Sequence, residues 1–332
     1  MRSSDVNERG LADMEARLKA RMDAMNGRLG DRMTALDARL GKMSTSRNVL
    51  NGVGGEGCGR ESNYAALGAR ADVVGVDRVF VDYIQPSKAE MVQLFEYARR
   101  APVVQDNGVY AGIMNRARFE YLVDSKTDAK SDKVNANAGI DTAGEPVIRV
   151  FGGAARIGRV AALSIAAMKY GGDESAAKRF IGTLSRSQCH TFTINDAIQV
   201  VNDAGLVGAL RNDRVVVNAR TISAGLMLGI IAHEAGHLSL GHCATKVNYY
   251  ATNLEVARNR EREADSFSSS VIASSPFGES ILEGTLLWHF VLACHEGSAQ
   301  ETTHPLSRER LENIVRANKD LARSLGIELA GG

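Results

Sequence analysis

The stretch IIAHEAGHLSLGH, residues 230–242, holds three of the seven histidines of a 332-residue chain, together with one glutamate, in apolar surroundings. His233 and His237 are four apart. On a helix their imidazoles leave one face about one turn apart, where both can bind one cation. Glu234 stands about 100° further round the helix, so it reaches the rim of such a site rather than the ion. This is the H-E-x-x-H arrangement, in which a carboxylate takes a proton from activated water without being a ligand.

A catalytic zinc needs a third protein ligand and an open fourth position. The segment NREREADSF, residues 259–267, supplies candidates far enough downstream for the chain to turn back along the first helix. Glu261 and Asp265 are four apart and share a face. Glu261 can ligate, and Asp265 can accept a hydrogen bond from a ligand histidine and fix its tautomer. Glu263 points elsewhere and is the weaker candidate. His242 and Cys243 lie one or two turns beyond His237, where joining the same tetrahedron would strain it.

These residues need elements to carry them. SAGLMLGIIAHEAGHLSLGH is long and apolar enough for a helix, with Ser223 as its expected cap. PSKAEMVQLFEYARRA is expected to be helical behind a capping box of Ser87 and Glu90, with Met91, Leu94, Phe95 and Ala98 on its apolar face. Residues 155–170 and two stretches within 172–213 also read as helices. RFEYLV, PVIRVF and the RVVVN of residues 214–218 read as short strands. Helices follow in the last third, with breaks near Pro276 and Pro305. His289, His295 and Trp288 read as packing on an apolar helix over residues 281–296, and Tyr249 and Tyr250 likewise. Few strands among many helices give an α+β fold, mostly helical with a small mixed sheet.

Composition limits the partners. With 40 basic and 39 acidic residues the chain lacks the basic excess of a nucleic-acid binder. Its four cysteines form no C-x-x-C pair, and free thiols in a reducing compartment are expected. MRSSDVNERG has no apolar h-region, and the longest apolar runs fall short of the roughly 20 residues of a membrane span. A cytoplasmic protein with no transmembrane segment is the expectation.

Ahead of the catalytic part, MEARLKARMDA, MNGRLGDRMTA and LDARLGKM repeat an eleven-residue unit. Leu18, Met22, Met25, Leu29, Met33, Leu36 and Leu40 would form one stripe on an amphipathic or coiled-coil helix over residues 1–47. Such a stripe suits homo-oligomerisation, packing on the protein body, or contact with a membrane surface. Residues 48–70 are expected to form a glycine-rich linker. Residues 71–332 would be the metal-binding domain, with 172–213 as an insertion.

HEAGHLSLGH followed by EREAD resembles the zinc metallopeptidase family of the CAAX prenyl endopeptidases and the bacterial heat-shock peptidase HtpX. THPLSRERLENI, residues 303–314, resembles that family's T-H-P-x-x-x-x-R segment. KVNANAG and PVIRVFGG resemble, more weakly, two of its strands. The resemblance implies a gluzincin-type, zincin-like metallopeptidase domain with one Zn2+ per chain held by His233, His237 and Glu261. It implies Glu234 as the base and His304 with Arg310 as transition-state aids. A protein or peptide would be cleaved by water activated on zinc and by Glu234, with the substrate extended along PVIRVF as the expected edge strand.

Departures from the family's pattern are the missing membrane helices, the insertion 172–213 and the eleven-residue repeat. Two other readings follow from them. One is a non-catalytic, zinc-stabilised scaffold assembled through the N-terminal helix. The other is a latent peptidase, its cleft covered by that helix or by the insertion, where Cys189 and His190 lie.

Overall fold

The computed structural model describes residues 78–123, 129–184, 191–243, 254–293 and 307–324. The chain divides into two units, Met1–Gly75 and Val76–Gly332, and the described residues belong to the second. The N-terminal repeat and the glycine-rich linker lie outside them.

The second unit opens with helices α1 (Arg78–Ile84), α2 (Lys88–Arg99), α3 (Pro102–Gln105) and α4 (Gly108–Arg116). The Ser87 hydroxyl caps α2 by accepting from the Glu90 backbone N–H at 3.1 Å. The expected capping box is only half made, because the Glu90 carboxylate pairs instead with the buried Arg159. Met91, Phe95 and Ala98 face the core.

Three strands follow, β1 (Arg118–Leu122), β2 (Ala136–Ile140) and β3 (Pro146–Phe151), in the order β1-β3-β2. β1 runs parallel to β3 and β2 antiparallel to it, so the sheet is mixed. The hairpin between β2 and β3 is held by Asp141, whose Oδ1 accepts from the N–H groups of Ala143 and Glu145. Gly144 supplies the positive φ that this turn requires. PVIRVF is therefore the central strand, not the edge expected for it. All its residues but Arg149, which pairs with Glu120 on β1, are buried, as a strand covered on both faces requires.

The remaining helices are α5 (Gly152–Tyr170), α6 (Ala176–Leu184), α7 (Ile194–Asp203), α8 (Asp213–Ser239), α9 (Leu254–Ser274), α10 (Gly278–Ala293), α11 (Ser307–Ala317) and α12 (Lys319–Ser324). The unit is mainly helical with one small mixed sheet, an α+β arrangement. α6 and α7 lie within the expected insertion. α7 starts with a complete capping box between Thr193 and Asp196.

α8 is the axis of the unit. It packs against α5, α9 and α10, and also meets α2 and β2. RVVVN forms its first turns rather than a strand. The Asn212 side chain accepts from the N–H groups of Arg214 and Val215 and starts the helix there, and this cap with the packing beyond outweighs the β preference of three valines. Ser223 is accordingly no cap but a buried residue within the helix. By length and composition α8 is the one helix among the described residues that qualifies as a membrane span, contrary to expectation; 72% of its apolar window is buried against protein. Its apolarity serves the core.

Glycines set how closely the neighbours of α8 approach. A Cβ on Gly225 would run into the Ser280 carbonyl, and one on Gly229 into the Thr285 hydroxyl, both on α10. At Gly236 a Cβ would lie 3.1 Å from Ala264 Cα on α9. Ala264 adjoins Asp265, so this contact brings the carboxylate face of α9 against the histidine face of α8.

Candidate metal centre

His233 and His237 turn their Nε2 atoms toward each other at 3.1 Å. Glu261 on α9 meets both, Oε2 at 3.2 Å from His233 Nε2 and Oε1 at 3.4 Å from His237 Nε2. A tetrahedral zinc with bonds of about 2.05 Å keeps its ligand atoms about 3.3 Å apart. Two imidazoles and a carboxylate are a usual zinc donor set, and these three stand at the separations such an ion imposes. His233, His237 and Glu261 could thus hold a metal ion.

Behind His233 lies a charged support. Its Nδ1 is 2.9 Å from Asp265 Oδ1. Arg310 on α11 grips the same carboxylate with both arms, Nε to Oδ2 and Nη2 to Oδ1, each 2.8 Å. Arg310 and Asp265 are both buried. Burial opposes the Asp265 charge, but Arg310 and His233 outweigh it and hold the carboxyl well below the usual carboxylate range. Burial also lowers the His233 pKa, while hydrogen bonds to Asp265 and Glu261 raise it more, to about 10 without metal. Arg310 Nη2 stands 3.4 Å from His233 Nδ1 and 3.8 Å from Glu261 Oε2. The structure therefore puts Arg310 at the Nδ1 edge of His233, gripping Asp265 and within ion-pair reach of Glu261.

Glu234 is largely buried on α8. Among the groups its charge reaches are Arg310 and Cys243, whose thiol is pushed up to about 11 by burial first and by Glu234 second. His304 lies outside the described residues, as do Cys189, His190, Tyr249, Tyr250 and His295. His289 is buried on α10, as expected of a packing residue, and its pKa is pushed down to about 3 by burial first and Arg310 next.

Sequence reading missed one feature. α8 ends at Ser239 with Leu240 as its C-cap, Gly241 takes a φ of 74°, and the chain folds back. The His242 N–H donates to the His237 carbonyl at 3.0 Å and the Gly241 N–H to Leu238 at 3.1 Å, the paired bonds of a Schellman cap. That returns His242 to His237, with their Nδ1 atoms 3.0 Å apart. His242 Nε2 then meets Glu263 at 2.9 Å. His242 lies at the Nδ1 edge of His237, outside the cluster of donor atoms. The signal was legible in LSLGH, where a glycine follows the last helical residues.

The chain matches no curated protein and no solved structure. Residues 206–327 match the family described as Peptidase U49, a span that contains His233, Glu234, His237, Glu261, Asp265 and Arg310 and that supports a peptidase hydrolase.

Proposed function

We propose that this protein is a zinc-dependent endopeptidase of the gluzincin type, akin to the CAAX prenyl endopeptidases and HtpX. The observation that carries the reading is the mutual spacing of the three donor atoms on His233, His237 and Glu261, joined to the peptidase match over the same residues. A zinc ion held by these residues would polarise a peptide carbonyl and lower the pKa of a water molecule to about 7.

Glu234 follows the first ligand on the helix and is not one of the three donors. Its role is to accept a proton from the attacking water and pass it to the departing amide nitrogen. Asp265 holds the Nδ1 proton of His233, leaving the Nε2 lone pair for the ion. Arg310 keeps Asp265 charged and aligned, which makes it a positioning residue in this scheme rather than a direct aid to the transition state.

An extended peptide would add to the sheet at β2, an edge strand that packs against α8. In the β2–β3 ladder Asn135 accepts from Phe151 and Asp141 donates to Glu145. Antiparallel pairing alternates, so Asn137 and Gly139 spend their backbone groups on β3. Ala138 and Ile140 turn theirs outward, toward where a substrate strand would lie, while the Ala136 N–H donates to Asn135 Oδ1 at 2.9 Å.

The test is Glu234→Gln. Zinc content stays at one per chain and cleavage of an unfolded protein such as casein falls by at least a thousandfold. Unchanged cleavage by that variant removes Glu234 from the mechanism. A wild-type protein that takes up no zinc removes the metal reading altogether.

A further inference from the structure

The two ligand histidines are supported differently. His233 leans on the buried Asp265–Arg310 pair. His237 has His242 at its Nδ1 edge, and the contact runs on to Glu263, an exposed carboxylate on α9.

The proton positions along this path follow from the chemistry of imidazole. A neutral ring carries one N–H. If His237 offers its Nε2 lone pair to an ion, its proton sits on Nδ1. With the two Nδ1 atoms 3.0 Å apart, that N–H has an acceptor only if His242 Nδ1 is bare. The His242 proton is then on Nε2, where Glu263 Oε2 accepts it at 2.9 Å. Every donor meets an acceptor, and no other neutral arrangement both frees His237 Nε2 and satisfies both contacts.

The cap makes this geometry. In a Schellman turn the residue after the left-handed glycine returns to the third-last residue of the helix, commonly through an apolar contact. Here those two residues are His242 and His237, and the contact is a hydrogen bond. Arg260 on α9 holds the same turn by donating to the His242 carbonyl at 3.1 Å.

We infer that His242, delivered by the Gly241 cap and oriented by Glu263, is a positioning residue that locks His237 in the tautomer with its proton on Nδ1 and its Nε2 free for the metal. This rests on the metal reading of the His233–His237–Glu261 cluster. It gives His242 a function distinct from that of a fourth ligand.

The experiment uses the full chain and Zn2+ itself, with affinity measured by competition against a chelating indicator and tautomers read from long-range proton–nitrogen correlations of 15N-histidine protein. His242→Phe keeps a ring but removes the acceptor. It weakens zinc binding by about 10- to 100-fold, and the His237 ring signals cease to report a single Nδ1–H form. His242→Asn places an amide oxygen near the lost Nδ1 and restores affinity to within about threefold of wild type. Glu263→Leu alters a residue on the exposed face, so the fold survives even if His242→Phe does not. It moves the His242 nitrogen signals away from the Nε2–H pattern and weakens zinc severalfold. Wild-type affinity and an unmoved His237 tautomer in His242→Phe, or unmoved His242 signals in Glu263→Leu, overturn the inference while the metal site stands. Failure of the wild-type chain to bind zinc overturns both.

Discussion

Arg310 and Asp265, 45 residues apart in sequence, form a two-pronged ion pair buried behind His233, with both nitrogen–oxygen distances at 2.8 Å. The pair ties α11 to α9 at the point where α9 contributes Glu261. Neither charge has water to fall back on. Parallel forks of this kind are among the stronger polar contacts in proteins, and lysine cannot reproduce them.

Breaking the pair from one side is costly. Arg310→Met leaves a carboxylate buried without its cation, and unfolding in denaturant should become easier by about 3–5 kcal/mol. Arg310→Lys should recover only part of that. The double variant Arg310→Met/Asp265→Asn should lose less than the sum of the single changes, since the Asp265 charge is then removed together with its cation. Additive losses would mean that the two residues act independently.

The pH response of the metal-free protein follows from His233. Its folded pKa of about 10 lies above the ordinary value of 6.5. The stability contributed by the charged ring is fully present below pH 6.5 and is lost as pH rises through about 10. On the proposed reading, zinc must displace the same proton. Apparent zinc affinity should therefore fall at least about tenfold per unit as pH drops from 9 to 7, with at least one proton released per ion. Calorimetry in two buffers of different ionisation enthalpy counts that proton; a buffer-independent heat would remove the protonated His233 from the account.

Close helix packing gives a third test. Gly225→Ala sets a methyl group against the backbone carbonyl of Ser280, which no side-chain rotation can relieve. Thermal melting should show a loss of at least about 1–3 kcal/mol. Gly236→Ala, whose nearest contacts are at 3.1 Å, should cost less in stability and more in zinc affinity, because it pushes α9 and Glu261 away from the histidines. Equal effects of both changes on zinc affinity would count against that assignment.

The substrate edge can be separated from the sheet itself. Ala138→Pro deletes an N–H that faces away from β3, so the hairpin should remain intact. A single backbone hydrogen bond is worth about 0.5–1.5 kcal/mol, so kcat/KM on peptides should fall roughly tenfold, with zinc content unchanged. Full activity in that variant would move the substrate away from β2.

Much of the centre is periodic and therefore legible in the chain alone. His233 with His237, and Glu261 with Asp265, are pairs four apart, and a helix puts such pairs on one face whatever surrounds it. The capping residue Ser87, the apolar face it introduces, and strands β1 and β3 are local features of the same kind. Tertiary structure decided what spacing does not encode. RVVVN became helix because Asn212 caps it and α8 continues beyond it. PVIRVF became central because two other strands paired with it. Arg310 came to serve Asp265 because α11 packs against α9. Glu263 joined the site because a glycine turned His242 back over His237. Periodicity fixes which side chains share a face, since bond geometry repeats along one element. Which faces meet depends on close packing among all the elements at once, and no single stretch of sequence contains that.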